Sequence, residues 1–501
     1  MSIFTDWLSR WAEYCPEKVA ISEYETGRSL TYGQAQHLSS LLAHHLTDEL
    51  GLKKGDRIAV LAENCLEYGI LLFVAQKTGI ILVPYNYRLS SGEVAYLIED
   101  SQPNLLVVEN KFSHLLEGEK QHDRALHVWS LESLQVWLDD AADNEPLGFP
   151  PRELEEDHPV FILYTSGTTG FPKGALYTHR MLVWNSLNTS LRLDITSEDR
   201  TVNCMPLFHT GGWNVLFTPF MHHGAYLCMM KSFDAGKVLE ALEKDSISIF
   251  MAVPTMLNMM AAIPEFESAD VSSVRYFIVG GEAMPIPLIE TWAQKGVPIR
   301  QGYGMTEVGP NLMSLHQDDA IRKKGSIGKP NFYVQTRLLK EDGTIGGPGE
   351  SGELLLKGPM VTPGYWQNPE ATKKTFHEGW FKTGDLLRMD EEGFFYVMDR
   401  IKNMFISGGE NVYPAEVERI LIQHPDIEEV AVLPVEDSKW GEVGKACIGS
   451  HAPISLEVVQ SFCEGKLARF KIPKYIEIMP ELPKNGTGKI DRKTLKELIH
   501  G

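Results

Sequence analysis

Short apolar runs that recur along the chain constrain its fold more than any other feature of the sequence. The segments RIAVL at residues 57–61, LLVV at 105–108 and VFILY at 160–164 are predicted to be buried strands. Between them lie segments with the apolar spacing of helices, such as residues 38–50. Strands that alternate with helices predict mainly parallel sheets that helices cover on both faces.

Further short strand patterns follow, and the last two lie among glycine turns, which predicts antiparallel pairing. These patterns occupy residues 248–253, 276–279, 298–301, 353–356 and 393–398. An acidic, proline-rich segment at residues 139–159 predicts an exposed linker between sub-units.

The last hundred residues have a separate pattern of one helix, one strand and two further helices. These elements are predicted at residues 416–423, 429–433, 455–467 and 493–499. Ordinary domains hold about 100–200 residues, so a chain of 501 residues should contain two or more folding units. We predict an N-terminal domain of residues 1–399 and a C-terminal domain of residues 400–501.

Charge and cysteine usage exclude several classes of protein. Lys and Arg number 47 against 67 Asp and Glu, and a net charge of −20 disfavours binding to nucleic acid or anionic lipid. The six cysteines form no CxxC pair, so neither a disulfide framework nor a zinc site is predicted. The N-terminus lacks an apolar signal core, and the most apolar stretch, residues 68–83, is shorter than the roughly 20 residues of a membrane span. We expect a cytoplasmic protein without a transmembrane segment, in which residues 68–83 form a buried helix and then a buried strand.

The most distinctive local motif is TSGTTGFPKG at residues 165–174, directly after the strand VFILY. Its glycines and small hydroxyl residues allow backbone N–H groups and hydroxyls to surround phosphate oxygens, and Lys173 adds positive charge. The motif is not a P-loop, because Gly174 stands where GxxxxGK[ST] requires Ser or Thr. On its own it is also compatible with a plain flexible turn.

Six further motifs follow this loop in a fixed order. They are PLFHTGG at 206–212, GGEAMP at 280–285, QGYGMTE at 301–307, WFKTGD at 380–385, DRIKNMFISGGENVYPAEVE at 399–418 and PKNGTGKI at 483–490. With them, nearly the whole chain resembles the adenylate-forming superfamily of acyl-CoA synthetases, firefly-type luciferases and peptide-synthetase adenylation domains. Within that superfamily it is most similar to bacterial medium- and long-chain fatty acyl-CoA ligases.

The resemblance implies an AMP-forming acid–CoA ligase, which uses ATP, Mg²⁺ and coenzyme A. A small-molecule carboxylic acid would react with ATP to give an acyl-adenylate and pyrophosphate, and CoA would then release AMP. The implied fold is α/β. Parallel-sheet subdomains and a small β-barrel-like region form the large N-terminal domain, and a small α+β domain forms a mobile C-terminal lid.

The resemblance also assigns residues to the nucleotide site. The implied phosphate-binding residues are Thr165, Ser166, Gly167, Thr168, Thr169, Gly170 and Lys173. The implied adenine-site residues are Gly281, Glu282, Ala283, Gly302, Tyr303 and Gly304, with the flat face of Tyr303 stacking on the base. Asp385 would bind both ribose hydroxyls, since a carboxylate has two acceptor oxygens, and Arg400 would contact ribose or phosphate.

Four residues are implied in the chemistry of the first step. Glu307 would bind Mg²⁺, which needs few protein oxygens beside those of phosphate, and Thr165 is the implied second ligand. Thr306 would contact the α-phosphate, and Lys489 would bridge the carboxylate and the phosphate, where two anions must meet. His209 would orient the acid or control the entry of CoA, although a packed core histidine is the alternative.

The second step implies a movement of the C-terminal domain about Lys402. The loop of Lys489 would leave, and the segment SGGEN at residues 407–411 would enter, where Gly408 and Gly409 let the thin pantetheine arm pass close to the backbone. Trp440 and residues 469–471 would contact the nucleotide part of CoA, and surface packing is the alternative for both.

The motif at residues 206–212 and the predicted lining of the acid site indicate the class of acid. Amino-acid-activating relatives usually have Asp after the residue that corresponds to Phe208, and this chain has His209 there. The remaining lining is predicted to be largely apolar, from Trp213, Asn214, Val253, Pro254, Val279, Gly280, Gly302, Met305 and residues 308–313. We therefore expect a medium- or long-chain fatty acid first and an aryl acid second.

Two other classes of enzyme remain as alternatives. One is an adenylating enzyme that loads the thiol of a carrier protein, and the other is a kinase that transfers the γ-phosphate, which the absent P-loop disfavours. A homodimer and a weak peripheral contact with a membrane are left open by the sequence.

Overall fold

The computed structural model describes residues 5–116, 126–145, 147–150, 152–165, 172–281, 284–407, 410–485 and 488–500. The chain forms two compact units, one of Met1–Gln335 with Leu356–Phe381 and one of Thr336–Leu355 with Lys382–Gly501. The domain boundary between residues 399 and 400 stays a prediction.

The regular elements of the described residues are numbered in chain order. The α-helices are α1 (Trp7–Tyr14), α2 (Tyr32–His44), α3 (Leu66–Thr78), α4 (Ser91–Ser101), α5 (Leu131–Ala141), α6 (His179–Leu193), α7 (Thr210–Asn214), α8 (Phe217–His222), α9 (Ala235–Lys244), α10 (Pro254–Ala262), α11 (Glu265–Ser268), α12 (Ile286–Gln294), α13 (Gln317–Ala320), α14 (Pro369–Thr375), α15 (Pro414–Leu421), α16 (Leu456–Cys463) and α17 (Arg492–His500). A π-helical turn spans His45–Glu49, and 3₁₀ turns span Asn110–Leu116, Thr306–Val308 and Ile401–Asn403.

The strands are β1 (Val19–Glu23), β2 (Ser29–Thr31), β3 (Arg57–Leu61), β4 (Ile81–Pro84), β5 (Leu105–Val108), β6 (His127–Ser130), β7 (Pro159–Thr165), β8 (Lys173–Thr178), β9 (Arg200–Asn203), β10 (Tyr226–Met229), β11 (Ile249–Ala252), β12 (Tyr276–Val279), β13 (Ile299–Met305), β14 (Gly309–Ser314), β15 (Lys329–Pro330), β16 (Gln335–Leu339), β17 (Ile345–Gly346), β18 (Ser351–Lys357), β19 (Phe376–His377), β20 (Trp380–Met389), β21 (Phe395–Arg400), β22 (Phe405–Ser407), β23 (Glu410–Val412), β24 (Glu429–Asp437), β25 (Gly441–Gly449) and β26 (Tyr475–Met479).

Mainly parallel sheets build the described part of the first unit, as the alternation of strands and helices predicts. One sheet has the order β6-β5-β3-β4-β7-β8 and is parallel except for its last pair. Another has the order β11-β12-β13-β14-β15 and changes from parallel to antiparallel pairing at β13. A third has the order β2-β1-β10-β9.

The sheet that contains β3 is buried on both faces. Ile58 and Val60 belong to one hydrophobic cluster, whereas Ala59 and Leu61 belong to another. Because side chains alternate along a strand, the two clusters cover opposite faces of the sheet. Both faces are therefore covered, as the sequence predicts.

Some sequence-based boundaries were wrong. The helix predicted at residues 38–50 begins earlier, at Tyr32, because Thr31 and Gln34 form a capping box. The segment 139–159 does not separate two sub-units, because β7 after it pairs with β4 before it in one sheet. The acidic, proline-rich composition of residues 139–159 indicates exposure to solvent, but it does not indicate which strands pair with each other. The stretch 68–83 forms α3 and β4, as predicted.

The second unit combines antiparallel strands with a smaller α+β layer. Strands β17, β16, β18 and β20 lie in that order in one sheet, with β21 beside β20, and this curled half-barrel corresponds to the predicted barrel-like region. The sheet β23-β22-β25-β24 follows, with β26 parallel to β25. Helices α15 and α16 pack on it through Val417 and Val459.

No helix in the described part of the chain has both the length and the apolar composition needed to cross a bilayer.

The buried His179 and the half-buried His222 of the first unit predict acid sensitivity. His179 Nδ1 lies 2.9 Å from Thr5 Oγ1, and His222 stacks on Trp7 with ring centres 4.0 Å apart. Burial lowers the pKa of each ring to about 3, and the neighbouring His158 and His223 contribute further. Both rings therefore stay neutral in the folded chain at pH values where they are protonated in the unfolded chain, whose histidines titrate near pH 6.5.

We expect the free energy of unfolding to fall as the pH drops below about 6.5, by about 2 kcal/mol per histidine at pH 5. The stability that the two neutral rings contribute is complete above pH 6.5, the pKa in the unfolded chain. It is lost as the pH falls towards 3, because only the unfolded chain takes up protons on these rings in this range. Urea unfolding at pH 7.5 and pH 5 measures the loss. His222→Gln should remove the share of His222, about 2 kcal/mol at pH 5, whereas replacement of the exposed His127 by Gln should leave the loss unchanged. An unchanged pH dependence in His222→Gln would contradict the assignment.

Candidate active site

The phosphate motif begins and ends on two paired strands of the first unit. Thr165, the last residue of β7, pairs with Lys173, the first residue of β8, and its hydroxyl donates to the Lys173 carbonyl at 3.4 Å. The paired ends fix both sides of the motif at the edge of a buried sheet. The predicted residues Ser166, Gly167, Thr168, Thr169 and Gly170 lie outside the described residues, as do Glu282, Ala283, Gly408 and Gly409.

Lys173 and Glu307, which belong to two distant motifs, both contact the side chain of Tyr365, a residue that was not predicted from the sequence. The Lys173 ammonium lies 5.6 Å from the centre of the Tyr365 ring. The Tyr365 hydroxyl donates a hydrogen bond to Glu307 Oε1 at 3.0 Å. Burial, and then the Glu307 carboxylate, raise the pKa of Tyr365 above its usual value, so the hydroxyl remains a donor at neutral pH.

The segment that carries Tyr365 is fastened to the site by its backbone. Trp366 N–H donates to the Gly174 carbonyl at 2.7 Å, and the Gly364 carbonyl accepts from Leu176 at 3.0 Å. Thr362 N–H donates to the Glu307 carbonyl at 2.8 Å. The segment therefore runs between β8 and the turn of Glu307, and it positions both.

The predicted adenine-site residues gather at the ends of two adjacent parallel strands. A Cβ on Gly280, which follows β12, would lie 3.6 Å from the carbonyl oxygen of Gly302 in β13. Gly281 and the half-buried Tyr303 follow these positions on their respective strands. Carboxyl ends of adjacent parallel strands are a common place for ligands.

Gly304 has a structural reason to be glycine. A Cβ there would lie 2.2 Å from the backbone of Pro310 in β14, so any side chain would displace that strand. The close approach makes the chain turn immediately after β13 into the 3₁₀ turn Thr306–Val308. Thr306 and Glu307 are both half-buried in this turn.

His209 lies at the start of α7 in a tight turn. Its N–H donates to the Pro206 carbonyl at 3.1 Å, and its carbonyl accepts from Gly212 at 3.0 Å. Two buried asparagines hold the turn, since Asn64 accepts from Leu207 and Asn203 donates to the Gly212 carbonyl. The side chain of His209 is half-buried, and its role stays a prediction.

Part of the predicted acid-binding lining lies in the hydrophobic core. Trp213 is completely buried and packs against the rings of Tyr68, Phe161 and Phe217. Val279 is also completely buried within a cluster of β12 and its neighbours. Asn214, Val308, Leu312 and Met313 of the same predicted lining are completely buried as well. The prediction was wrong for all of these, because position within a motif does not reveal which way a side chain points. Val253 and Met305 are half-buried.

In the second unit, the two predicted ribose residues form an ion pair. Asp385 in β20 and Arg400 in β21 are register partners, and Arg400 Nε lies 2.6 Å from Asp385 Oδ1. Asp385 is only 3% exposed, whereas about half of the Arg400 side chain is accessible. The ion pair thus places a buried carboxylate, that of Asp385, next to the accessible guanidinium of Arg400.

The predicted hinge residue Lys402 lies in the 3₁₀ turn Ile401–Asn403 between β21 and β22. Burial lowers the pKa of its ammonium, Arg400 lowers it further, and Asp385 partly offsets both. Asp399, just before the turn, accepts hydrogen bonds from Arg400 N–H at 2.6 Å and from Ala415 N–H at 2.7 Å.

Lys489 lies at the base of a short hairpin. Asn485 N–H donates to the Lys489 carbonyl at 2.8 Å, and Lys489 N–H donates to Asn485 Oδ1 at 3.2 Å. Lys484 and Ile490 pair just outside these bonds. The backbone of the exposed Lys489 is therefore fixed by its bonds to Asn485 and by the neighbouring pair Lys484–Ile490.

Trp440, the predicted CoA contact, lies between two lysines on the surface of the second unit. The ammonium groups of Lys439 and Lys474 lie 4.9 and 4.7 Å from its ring. Lys474 was missed, and the predicted Lys471 is instead paired with Glu416 at 2.7 Å. A 39% exposed tryptophan with two cations suits an aromatic base and phosphates.

The described residues fit a magnesium ion that has few protein ligands. They contain no group of three or more His, Cys, Asp or Glu that could hold a metal. Glu307 supplies one carboxylate held by a neutral donor, and Mg²⁺ commonly takes one or two carboxylates together with phosphate oxygens and water. Thr165 as a second ligand stays a prediction.

Comparisons with known proteins agree over nearly the whole chain. A family model described as AMP-binding enzyme matches residues 8–366, and one described as AMP-binding enzyme C-terminal domain matches residues 416–489. The chain is 37% identical over 486 residues to a feruloyl-CoA synthase of an Amycolatopsis species, covering 97% of this chain and 96% of the relative. It is also 37% identical over 497 residues to the long-chain-fatty-acid–CoA ligase FadD13 of Mycobacterium tuberculosis, covering 98% and 97%.

A solved structure gives the same result for the fold. It is that of o-succinylbenzoate coenzyme A synthetase (MenE) from Bacillus subtilis in complex with ATP and magnesium ion. The TM-score is 0.83 at 31% identity, and the match covers 98% of this chain and 99% of the other.

Proposed function

The chain belongs to the AMP-binding enzyme family and is an AMP-forming acid–CoA ligase that uses ATP, Mg²⁺ and CoA, and we propose that its acid is a medium- or long-chain fatty acid. The observation that carries the choice of acid is the apolar character of the residues predicted to line its site. No Asp follows Phe208, and Val253 and Met305 offer half-buried apolar side chains. The similarity to a long-chain-fatty-acid–CoA ligase supports it.

An aryl acid is the second candidate. The feruloyl-CoA synthase is as similar to this chain as the fatty-acid ligase is, at 37% identity. Apolar walls accept an aromatic ring as well as an alkyl chain, and each methylene changes affinity by only about 1–3 kcal/mol.

In the first step, the acid carboxylate attacks the α-phosphorus of ATP and pyrophosphate leaves. We assign Lys173 to the phosphates and Lys489 to the meeting point of carboxylate and α-phosphate, where their positive charge offsets the accumulating negative charge. Glu307 would hold Mg²⁺, which would supply positive charge against that of the phosphates. Thr306 contacts the α-phosphate, Tyr303 the adenine, and Asp385 the ribose hydroxyls.

In the second step, the CoA thiol attacks the acyl carbon, its proton is lost, and AMP leaves with the bonding electrons. We assign Trp440, with the flanking Lys439 and Lys474, to the nucleotide end of CoA, because the ring and the two cations suit adenine and phosphate. The enzyme needs no cysteine nucleophile, since CoA brings the thiol. Lys402 is the proposed pivot between the two steps.

A pyrophosphate-release assay with ATP, Mg²⁺ and CoA tests the choice of acid. The panel spans acetate to palmitate, with benzoate, cinnamate, ferulate, malonate and several amino acids. We expect release that requires CoA and is largest for an alkyl acid of medium or long chain. A maximum at ferulate or cinnamate would favour the second candidate, and pyrophosphate without acyl-CoA would indicate a carrier-protein acceptor.

A further inference from the structure

Tyr365 connects the proposed metal ligand to the proposed phosphate lysine. Its hydroxyl donates to Glu307 Oε1 at 3.0 Å, and its ring lies 5.6 Å from the Lys173 ammonium. The residue is far in sequence from both partners and belongs to none of the seven motifs. Its position nevertheless brings one polar group and one aromatic face to two charged groups of the same site.

The structure fixes Tyr365 from both neighbouring positions and from its own backbone. Its N–H donates to Thr372 Oγ1 at 3.0 Å, and the indole N–H of Trp366 donates to the Asp100 carbonyl at 3.0 Å. Gly364 has a φ of +144°, and a Cβ there would lie 2.4 Å from the Thr372 side chain. Thr372 therefore closes against the chain just before Tyr365, and the hydroxyl is held in place by the fold.

We propose that Tyr365 is a positioning residue, which holds the Glu307 carboxylate in the orientation that receives Mg²⁺ and seats Lys173 beside it. The inference rests on the proposed magnesium role of Glu307. A hydrogen bond from a neutral donor restricts rotation of the carboxylate without removing its charge. Partners of this kind commonly change metal affinity about 10- to 100-fold when they are removed.

The test measures metal binding by the full-length protein in the absence of any acid. Mn²⁺ is titrated in the presence of ATP and followed by its paramagnetic resonance signal, and ATP binding is measured separately in EDTA. Tyr365→Phe keeps the ring next to Lys173 and removes only the hydroxyl. We expect it to weaken Mn²⁺ binding about tenfold and to leave metal-free ATP binding unchanged.

Tyr24→Phe is the matched control. Tyr24 is also half-buried in the first unit, and its hydroxyl donates to Glu240 Oε2 at 2.6 Å. Its replacement removes the same type of tyrosine–glutamate bond outside the site, and we expect wild-type Mn²⁺ binding.

The double variant with Glu307→Gln separates positioning from general damage. If Tyr365 acts through Glu307, the loss caused by Tyr365→Phe disappears once Glu307 is replaced. Additive losses, or an equal loss of metal-free ATP binding, would overturn the inference. If Tyr365→Phe binds Mn²⁺ normally while Glu307→Gln binds it weakly, the role of Tyr365 is overturned and the metal role of Glu307 stands. If Glu307→Gln also binds Mn²⁺ normally, the metal role of Glu307 is overturned.

Discussion

Lys489→Ala is expected to slow formation of the acyl-adenylate about 100- to 1000-fold, which is the usual effect of removing one donor that stabilises developing charge. Transfer of the acyl group from preformed acyl-AMP to CoA should change little, because the proposed movement about Lys402 takes the loop of Lys489 away before that step. Single-turnover pyrophosphate release measures the first step. Thioester formation from synthetic acyl-AMP measures the second.

The hairpin of Lys489 makes the substitution a test of the ammonium group. Both hydrogen bonds that join Asn485 and Lys489 use the Lys489 backbone, so alanine preserves them. Lys493→Ala, which removes an exposed lysine from the start of α17, is the matched control and should keep both steps. Equal losses in the two steps would show that Lys489 does not serve the first step alone.

The strands of this fold could be predicted because their signal is local. The run RIAVL became β3 and LLVV became β5 within the predicted bounds, since a short apolar run between turns has few alternatives to a buried strand. The start of α2 was missed, although Thr31 and Gln34 carry the T-x-x-Q pattern of a capping box. That pattern is local too, and could have been used.

Site residues could be predicted when they belong to a sequence motif. They could not be predicted when their role depends on a contact between distant parts of the chain. Asp385 and Arg400 were assigned separately to the ribose, and the structure makes them register partners. Tyr365 has no signal of its own, because its role depends on a segment that runs beside β8 and meets Glu307, 58 residues away. Trp213 was misplaced for the same reason, since only the packing of α7 turns it into the core.

Lys402→Pro is expected to slow thioester formation about 100-fold or more while leaving adenylate formation nearly unchanged, since small errors in the placement of reacting groups cost this much. Proline fixes φ at position 402 and also restricts the backbone of Ile401 before it, so the substitution stiffens the turn Ile401–Asn403.

The contacts on either side of Lys402 show what a change of conformation must break. Asp399 Oδ2 accepts from Ala415 N–H at 2.7 Å, and Arg419 Nη2 donates to the Val397 carbonyl at 2.7 Å. Each bond joins a residue before the turn to one after it, so rotation about Lys402 requires both to open. A backbone that proline stiffens at this position has fewer conformations through which that rotation can proceed.

Lys402→Ala distinguishes backbone stiffness from loss of the ammonium group, because alanine leaves φ free. We expect the alanine variant to form thioester much faster than the proline variant, with single-turnover rates of both steps as the measurement. If both variants lose the second step equally, the charge of Lys402 is what matters, since its ammonium lies in the field of Arg400 and Asp385. If the proline variant turns over normally, the second step needs no rotation at this residue, and Trp440 and Lys489 must then serve their steps from one arrangement of the chain.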